Sequence, residues 1–208
     1  MEFRLVYRGK LFAARENEER RERLIQMHDI RREMHRQLDE LWKQHPSLKD
    51  LRNIPMGFSD PTAPNGTRVA TRLEEHARVH PKHGINWAPL ICDAFGLLCR
   101  MEILFLRPEP KGGVVQGGDL DNRIKTLFDA LSIPSVKQMP ESLDVQGEPN
   151  PFFCLLEDDR LITDFRVTAD RLLEPCDAET QSVVHLVIGV HVILANPERA
   201  YMEFGYGV

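Results

Sequence analysis

Between Gly96 and Val167 the hydrophobic pattern changes from strand to helix and back to strand, and this alternation places the chain in the mixed α/β (α+β) class. Gly96 to Leu106 favours strand through Leu98, Met101, Ile103 and Phe105. Leu120, Ile124, Leu127 and Leu131 then recur at helical spacing and predict a helix from about Leu120 to Ser132. Phe152 to Leu156 is a buried-strand-like run, Leu161 to Val167 reads as a further strand, and Val184 to Leu194 alternates as a long one. Upstream, Glu2 to Tyr7 alternates as a strand. Arg15 to His45 carries a helical stripe of Leu24, Met27, Met34, Leu38 and Leu41, with Trp42 beside it.

This order predicts a single mixed β-sheet flanked by helices, with an added long N-terminal helix. The 208 residues fit one domain, 1–208, with a core over about 96–197 joined by the N-terminal strand 2–8. Residues 15–90 form a helical and loop elaboration. Within it, Pro46 to Gly66 is expected to be loop and Thr67 to His80 a short helix. Pro108–Gly118, Ile133–Pro151 and Asp177–Gln181 read as loops or turns.

The segment Gly117-Gly118-Asp119-Leu120-Asp121-Asn122-Arg123-Ile124-Lys125 concentrates chemistry where a strand gives way to a helix. Asp119 sits at or near the N-cap, and Asp121 and Lys125 share a helix face away from the apolar stripe. Converging carboxylates suit Mg²⁺ or Mn²⁺, and a neighbouring lysine suits a phosphate. An Asp–Lys pair one turn apart is also an ordinary surface pair. A second acidic group, Glu157-Asp158-Asp159, interrupts two apolar segments. Its repulsion is relieved either by a solvated turn or by a metal shared with Asp119 and Asp121.

Other features exclude more than they assign. A net charge of −5 gives no global basic field for nucleic acid, so any such contact is local or cation-mediated. Arg20, Arg21, Arg23, Arg31, Arg32 and Arg36 are interleaved with glutamates, eight basic against eight acidic over 15–45, the pattern of a solvated helix face. His76, His80 and His83 have zinc-like spacing but no fourth ligand at a recognised distance. Cys92, Cys99, Cys154 and Cys176 show no C-x-x-C spacing and read as reduced, partly buried thiols. Met1-Glu2-Phe3-Arg4 does not open a signal peptide, and the apolar run Val183–Ala195 is too short to span a bilayer. A cytoplasmic protein without membrane contact is expected.

Taken in order, Asp119-Leu120-Asp121-Asn122-Arg123-Ile124-Lys125, Phe128-Asp129-Ala130-Leu131, Leu156-Glu157-Asp158-Asp159 and Asp164-Phe165-Arg166-Val167 resemble the RusA family of Holliday junction resolvases. The resemblance covers roughly Gly96 to Pro197. It implies a Mg²⁺-dependent endonuclease acting as a homodimer on four-way DNA junctions. Asp119, Asp121 and Asp159 would be the metal-binding carboxylates, with Asp158 as the substitute for Asp159 one residue earlier. Lys125 would be the catalytic lysine. The same hydrolytic centre could serve flaps, single strands or RNA, and the same fold could serve as a non-catalytic binding module. Where that family often carries arginines before the first aspartate, this chain has only Lys111 between Lys111 and Gly118.

Overall fold

The computed structural model describes residues 1–12, 20–55, 70–108, 119–140, 143–174 and 183–204. The α+β class is present, but the strands are divided over two sheets where one was expected. The larger sheet contains β1 (Glu2–Lys10), β4 (Leu97–Arg107), β6 (Ile162–Arg171) and β7 (Val183–Leu194), ordered β1-β7-β4-β6. In it β1/β7 and β7/β4 are antiparallel and β4/β6 parallel. The smaller holds β2 (Pro81–Lys82), β3 (Ile85–Ile91) and β5 (Phe152–Leu156), with β3 central and parallel to β5.

Strand β3 has no counterpart among the sequence expectations, for a physical reason. Its residues are almost all buried, so they do not alternate, and Pro89 interrupts an otherwise strand-like run. The Pro89 carbonyl accepts a hydrogen bond from Nε2 of His76 at 2.8 Å.

Helix α1 (Arg20–Gln44) buries Leu24, Met27, Ile30, Met34, Leu38 and Trp42. The stripe steps by four from Leu38, so Trp42 lies fully in the core and Leu41 is only partly covered, the reverse of the expected roles. Residues 13–19, into which that helix was expected to extend, lie outside the described residues. The α1 side chains join the same apolar cluster as Leu97, Met101, Phe105, Leu127 and Ile188. The region expected to elaborate the core therefore forms part of it.

Pro46 does not open a loop. It occupies the first turn of α2 (Pro46–Asn53), where its fixed φ suits a helix and its missing N–H costs nothing, and Leu48 and Leu51 anchor the turn. The short helix expected before His80 is α3 (Arg72–Arg78), started by a capping box between Thr71 and Glu74. Helix α4 (Asp119–Leu131) matches its apolar spacing, with Ile124, Leu127 and Leu131 buried. A last helix, α5 (Pro197–Phe204), uses Asn196 as cap, its Oδ1 accepting the Arg199 N–H at 3.1 Å. The Gly96 carbonyl accepts both the Ala195 and Asn196 N–H groups. Gly96 has φ +64°, and a Cβ there would come within 2.9 Å of Asn196, so only glycine fits this approach.

Among the described residues of the long connection from α4 to β5, the regular elements are two 3₁₀ turns, Val136–Gln138 and Val145–Gly147. It is held to α1 by buried polar contacts. The Glu148 carboxylate accepts from Arg32 at 2.5 Å and lies 3.0 Å from Nε2 of His28. The fully buried Arg31 donates to the carbonyls of Gln138 (3.1 Å) and Asp129 (3.0 Å).

Among the described residues, no helix is long and apolar enough to cross a membrane. Cys92, Cys99 and Cys154 are buried free thiols, and burial raises the first two to about 12. Cys176 and the turn expected at Asp177–Gln181 lie outside the described residues.

Candidate active site

Strand β5 belongs to the small sheet and β6 to the large one, so the chain changes sheets between Leu156 and Ile162. Glu157, Asp158 and Asp159 occupy that crossing, at the C-terminal end of a parallel strand, where segments diverge and leave a crevice. Two of the three carboxylates are compensated by backbone donors. Glu157 Oε2 accepts the Asp93 N–H at 2.9 Å, and Asp158 Oδ1 accepts the Arg160 N–H at 3.1 Å, capping the 3₁₀ turn Asp159–Leu161. Arg160 also pairs with Asp93. The exposed Asp159 carboxylate has no hydrogen-bond or ion-pair partner among the described residues.

Helix α4 supplies the other half of the site. Its apolar stripe faces the core, which turns Asp121, Lys125 and Asp129, spaced four apart, onto one face. Asp121 and Lys125 are exposed and Asp129 is half-buried. Phe128 meets Phe165 of β6 edge-on, 5.2 Å between ring centroids at 84°, so α4 is fastened to β6 by an aromatic pair. Asp164, on the opposite side of β6, pairs with Arg100 at 3.1 Å. The Phe128 and Phe165 positions of the sequence motifs thus do structural work, fixing the helix relative to the strand.

Asp129 joins the two halves. Burial raises its carboxyl above the usual carboxylate range, Lys125 opposes that rise, and the charge on Asp159 adds to it. Asp129, Glu157, Asp158 and Asp159 line a common cleft of about 650 Å³ together with His80 and Lys82. Behind it Arg31 donates to the Asp129 carbonyl, one of the last free carbonyls of α4. The helix has no basic residue in its own last turn, and α1 supplies that cation from elsewhere in the chain. Burial lowers the Arg31 guanidinium to about 10, which leaves it charged at neutral pH.

The expected site residues are therefore distributed as follows. Asp159 lines the same cleft as Asp129 of α4, and Asp158 lines it too while capping its own turn. Asp121 stands on that helix face but is not part of the cleft lining. The Asp119 backbone opens α4, and its side chain lies outside the described residues, as does the whole approach 109–118. Among the described residues no three His, Cys, Asp or Glu side chains are grouped to hold a metal ion. The oxygen donors are of the kind that Mg²⁺ takes, and the described ones do not by themselves complete a set.

Sequence reasoning did not assign Asp129, His80 or Lys82 to this cleft, although His80 stood in the zinc-like spacing and Asp129 in one of the motifs. Asp129 carried a usable signal, being one turn beyond Lys125 on the Asp121–Lys125 face. His80 and Lys82 reach the cleft through the turn after α3 and carried none.

The three spaced histidines do not converge. His76 bonds the Pro89 carbonyl, Nδ1 of His80 lies 2.9 Å from the His76 carbonyl, and Nε2 of His83 lies 3.3 Å from the Ser135 carbonyl. His76 is buried, and desolvation lowers it from 6.5 to about 4. A group held neutral in the fold adds stability above its unfolded value and loses it as pH falls through the folded value. His76 should therefore cost about 3 kcal/mol of stability between pH 6.5 and 4. Urea unfolding at pH 7.5 and 4.5 tests this: H76Q, which keeps a donor for Pro89, should lose less stability on acidification than the wild type. Equal losses would dismiss the assignment.

No family model, no curated protein and no solved structure matches this chain.

Proposed function

We propose that the chain is a metal-dependent endonuclease that hydrolyses phosphodiesters in branched DNA. The observation that supports this best is that Asp129 and Asp159, thirty positions apart in the sequence, line one cleft, with Lys125 one turn before Asp129 on α4. In this proposal Asp119 and Asp121 from the start of α4, Lys125 from its next turn and Asp159 from the sheet crossing would act together as the four groups named by the motif resemblance.

In this reading Asp119, Asp121 and Asp159 hold Mg²⁺, or Mn²⁺, which when bound supplies an activated water and neutralises charge on the phosphoryl oxygens. Lys125 contacts a phosphate oxygen and stabilises the charge that grows on it. Asp129 stands beside Lys125 and Asp159 and sets the local field on both. An acidic cleft on a chain of net charge −5 repels nucleic acid unless a cation intervenes, so binding as well as cleavage should require the divalent ion. A homodimer would place two such sites across a four-way junction, matching its symmetry. A protein acting on DNA in this way would work in the cytoplasm.

Labelled four-way junctions, flaps and linear duplexes incubated in Mg²⁺, beside D121N, test the reading. Paired symmetric nicks in the junction, lost in the variant, are expected. Cleavage of linear substrates alone would move the assignment to another nucleic acid, and no metal-dependent cleavage of any of them would remove it.

A further inference from the structure

His80 lines the cleft with its ring fixed in place. Nδ1 lies 2.9 Å from the His76 carbonyl. A carbonyl only accepts, so Nδ1 carries the proton, and in the neutral ring Nε2 keeps a free lone pair. The ring also meets the buried His76 ring edge-on, 5.0 Å between centroids at 67°. The His80 backbone is held on both sides, its N–H donating to the Ala77 carbonyl at 3.1 Å and its carbonyl accepting the Trp87 N–H at 3.2 Å. Bonding a carbonyl in the last turn of α3 accounts for Nδ1 and leaves Nε2 without a hydrogen bond among the described residues.

Across from Nε2, at 3.9 Å, stands Oε1 of Glu157, which lines the same cleft. Glu157 is fixed as well, because its Oε2 accepts the Asp93 N–H at 2.9 Å and its own N–H donates to the Ile91 carbonyl at 2.9 Å. A separation of 3.9 Å is too long for a direct hydrogen bond. It suits one water bound by both atoms at about 2.8 Å each, with an angle of about 90° between the two bonds. Nε2 and Oε1 are both acceptors, so that water points its two protons at them and turns a lone pair toward the open cleft. We propose that His80 is the general base for hydrolysis in this cleft. The water oxygen bonds to the phosphorus of a phosphodiester as one of its protons passes to Nε2, and Glu157 lies beside the positive charge that forms on the ring. The bond from phosphorus to the leaving oxygen breaks, that oxygen takes a proton from solvent, and His80 returns its own proton to solvent. Lys82, on the same lining, adds a cation for a phosphoryl oxygen. This rests on the nuclease reading for the identity of the phosphodiester, and the proton transfer itself invokes no bound ion.

The test uses the full chain as wild type, H80A and H80Q on labelled four-way junctions, flaps and duplexes in Mg²⁺, with substrate affinity followed by anisotropy and the thermal midpoint measured for each variant. H80A should lose at least about 10²-fold in kcat while its affinity stays within about twofold of the wild type. H80Q, whose amide can still donate to the His76 carbonyl but takes no proton, should be similarly slow. Added imidazole should raise cleavage by H80A at least about tenfold and leave the wild type unchanged, a rescue that a purely structural histidine would not show. Wild-type activity in H80A or H80Q, or a slow H80A that imidazole does not restore, would overturn the inference and leave the nuclease reading standing. No cleavage of any of these substrates by the wild type would overturn both.

Discussion

D159N should lower Mg²⁺-dependent cleavage by at least about 10³-fold while leaving the thermal midpoint unchanged or slightly raised. Asp159 is exposed and unpaired among the described residues, so its replacement breaks no contact in the fold. It also stands in the field of Glu157, Asp158 and Asp129, so removing one negative charge relieves repulsion. A functional carboxylate and a merely solvated one differ in this respect: only the first combines full loss of activity with no loss of stability. D158N serves as the comparison. An asparagine Oδ1 can still accept the Arg160 N–H and cap the 3₁₀ turn, so that variant should retain most of its activity. If D158N is inactive and D159N active, the ligand assignment shifts one residue earlier. If neither change affects cleavage, the crossing carboxylates have no part in it.

W42A should destabilise the protein by about 3–5 kcal/mol, lowering the thermal midpoint by roughly 10 °C. Trp42 is fully buried, packs on Phe153 at 5.6 Å between ring centroids, and belongs to the cluster that includes the central strands. W42F should cost clearly less. It leaves a smaller cavity, and the buried indole N–H has no hydrogen-bond partner among the described residues, so its removal forfeits no bond. An appendage helix would behave differently, with a small shift or a separate early transition. One cooperative transition at a much lower temperature marks α1 as part of the core.

Local pattern made several elements legible in advance. Helix α4 follows from Ile124, Leu127 and Leu131, β7 from its alternation, and α3 lies within the Thr67–His80 span expected for a short helix. The failures have physical causes. Pro46 reads as a breaker, yet proline is tolerated in a helix's first turn, where no N–H bond is lost. Strand β3 is hidden because a strand buried on both faces has no period to detect. The division into two sheets is set by which strands find each other, and pairing partners far apart in sequence leave no local trace.

For the site, residue order alone determined which side chains share a face: Asp121, Lys125 and Asp129 lie together on any helix of that register, and Glu157 to Asp159 must end an apolar strand. Only the tertiary structure decided that Asp129 and the Glu157–Asp159 carboxylates line one cleft, that among the described residues Asp159 rather than Asp158 is without a partner, and that Val79 and Pro81 line the same cleft. Helix periodicity is a property of neighbours a few residues apart, whereas the approach of Asp159 to Asp129 depends on the Phe128–Phe165 contact, on Arg31 behind α4 and on the chain's passage between sheets.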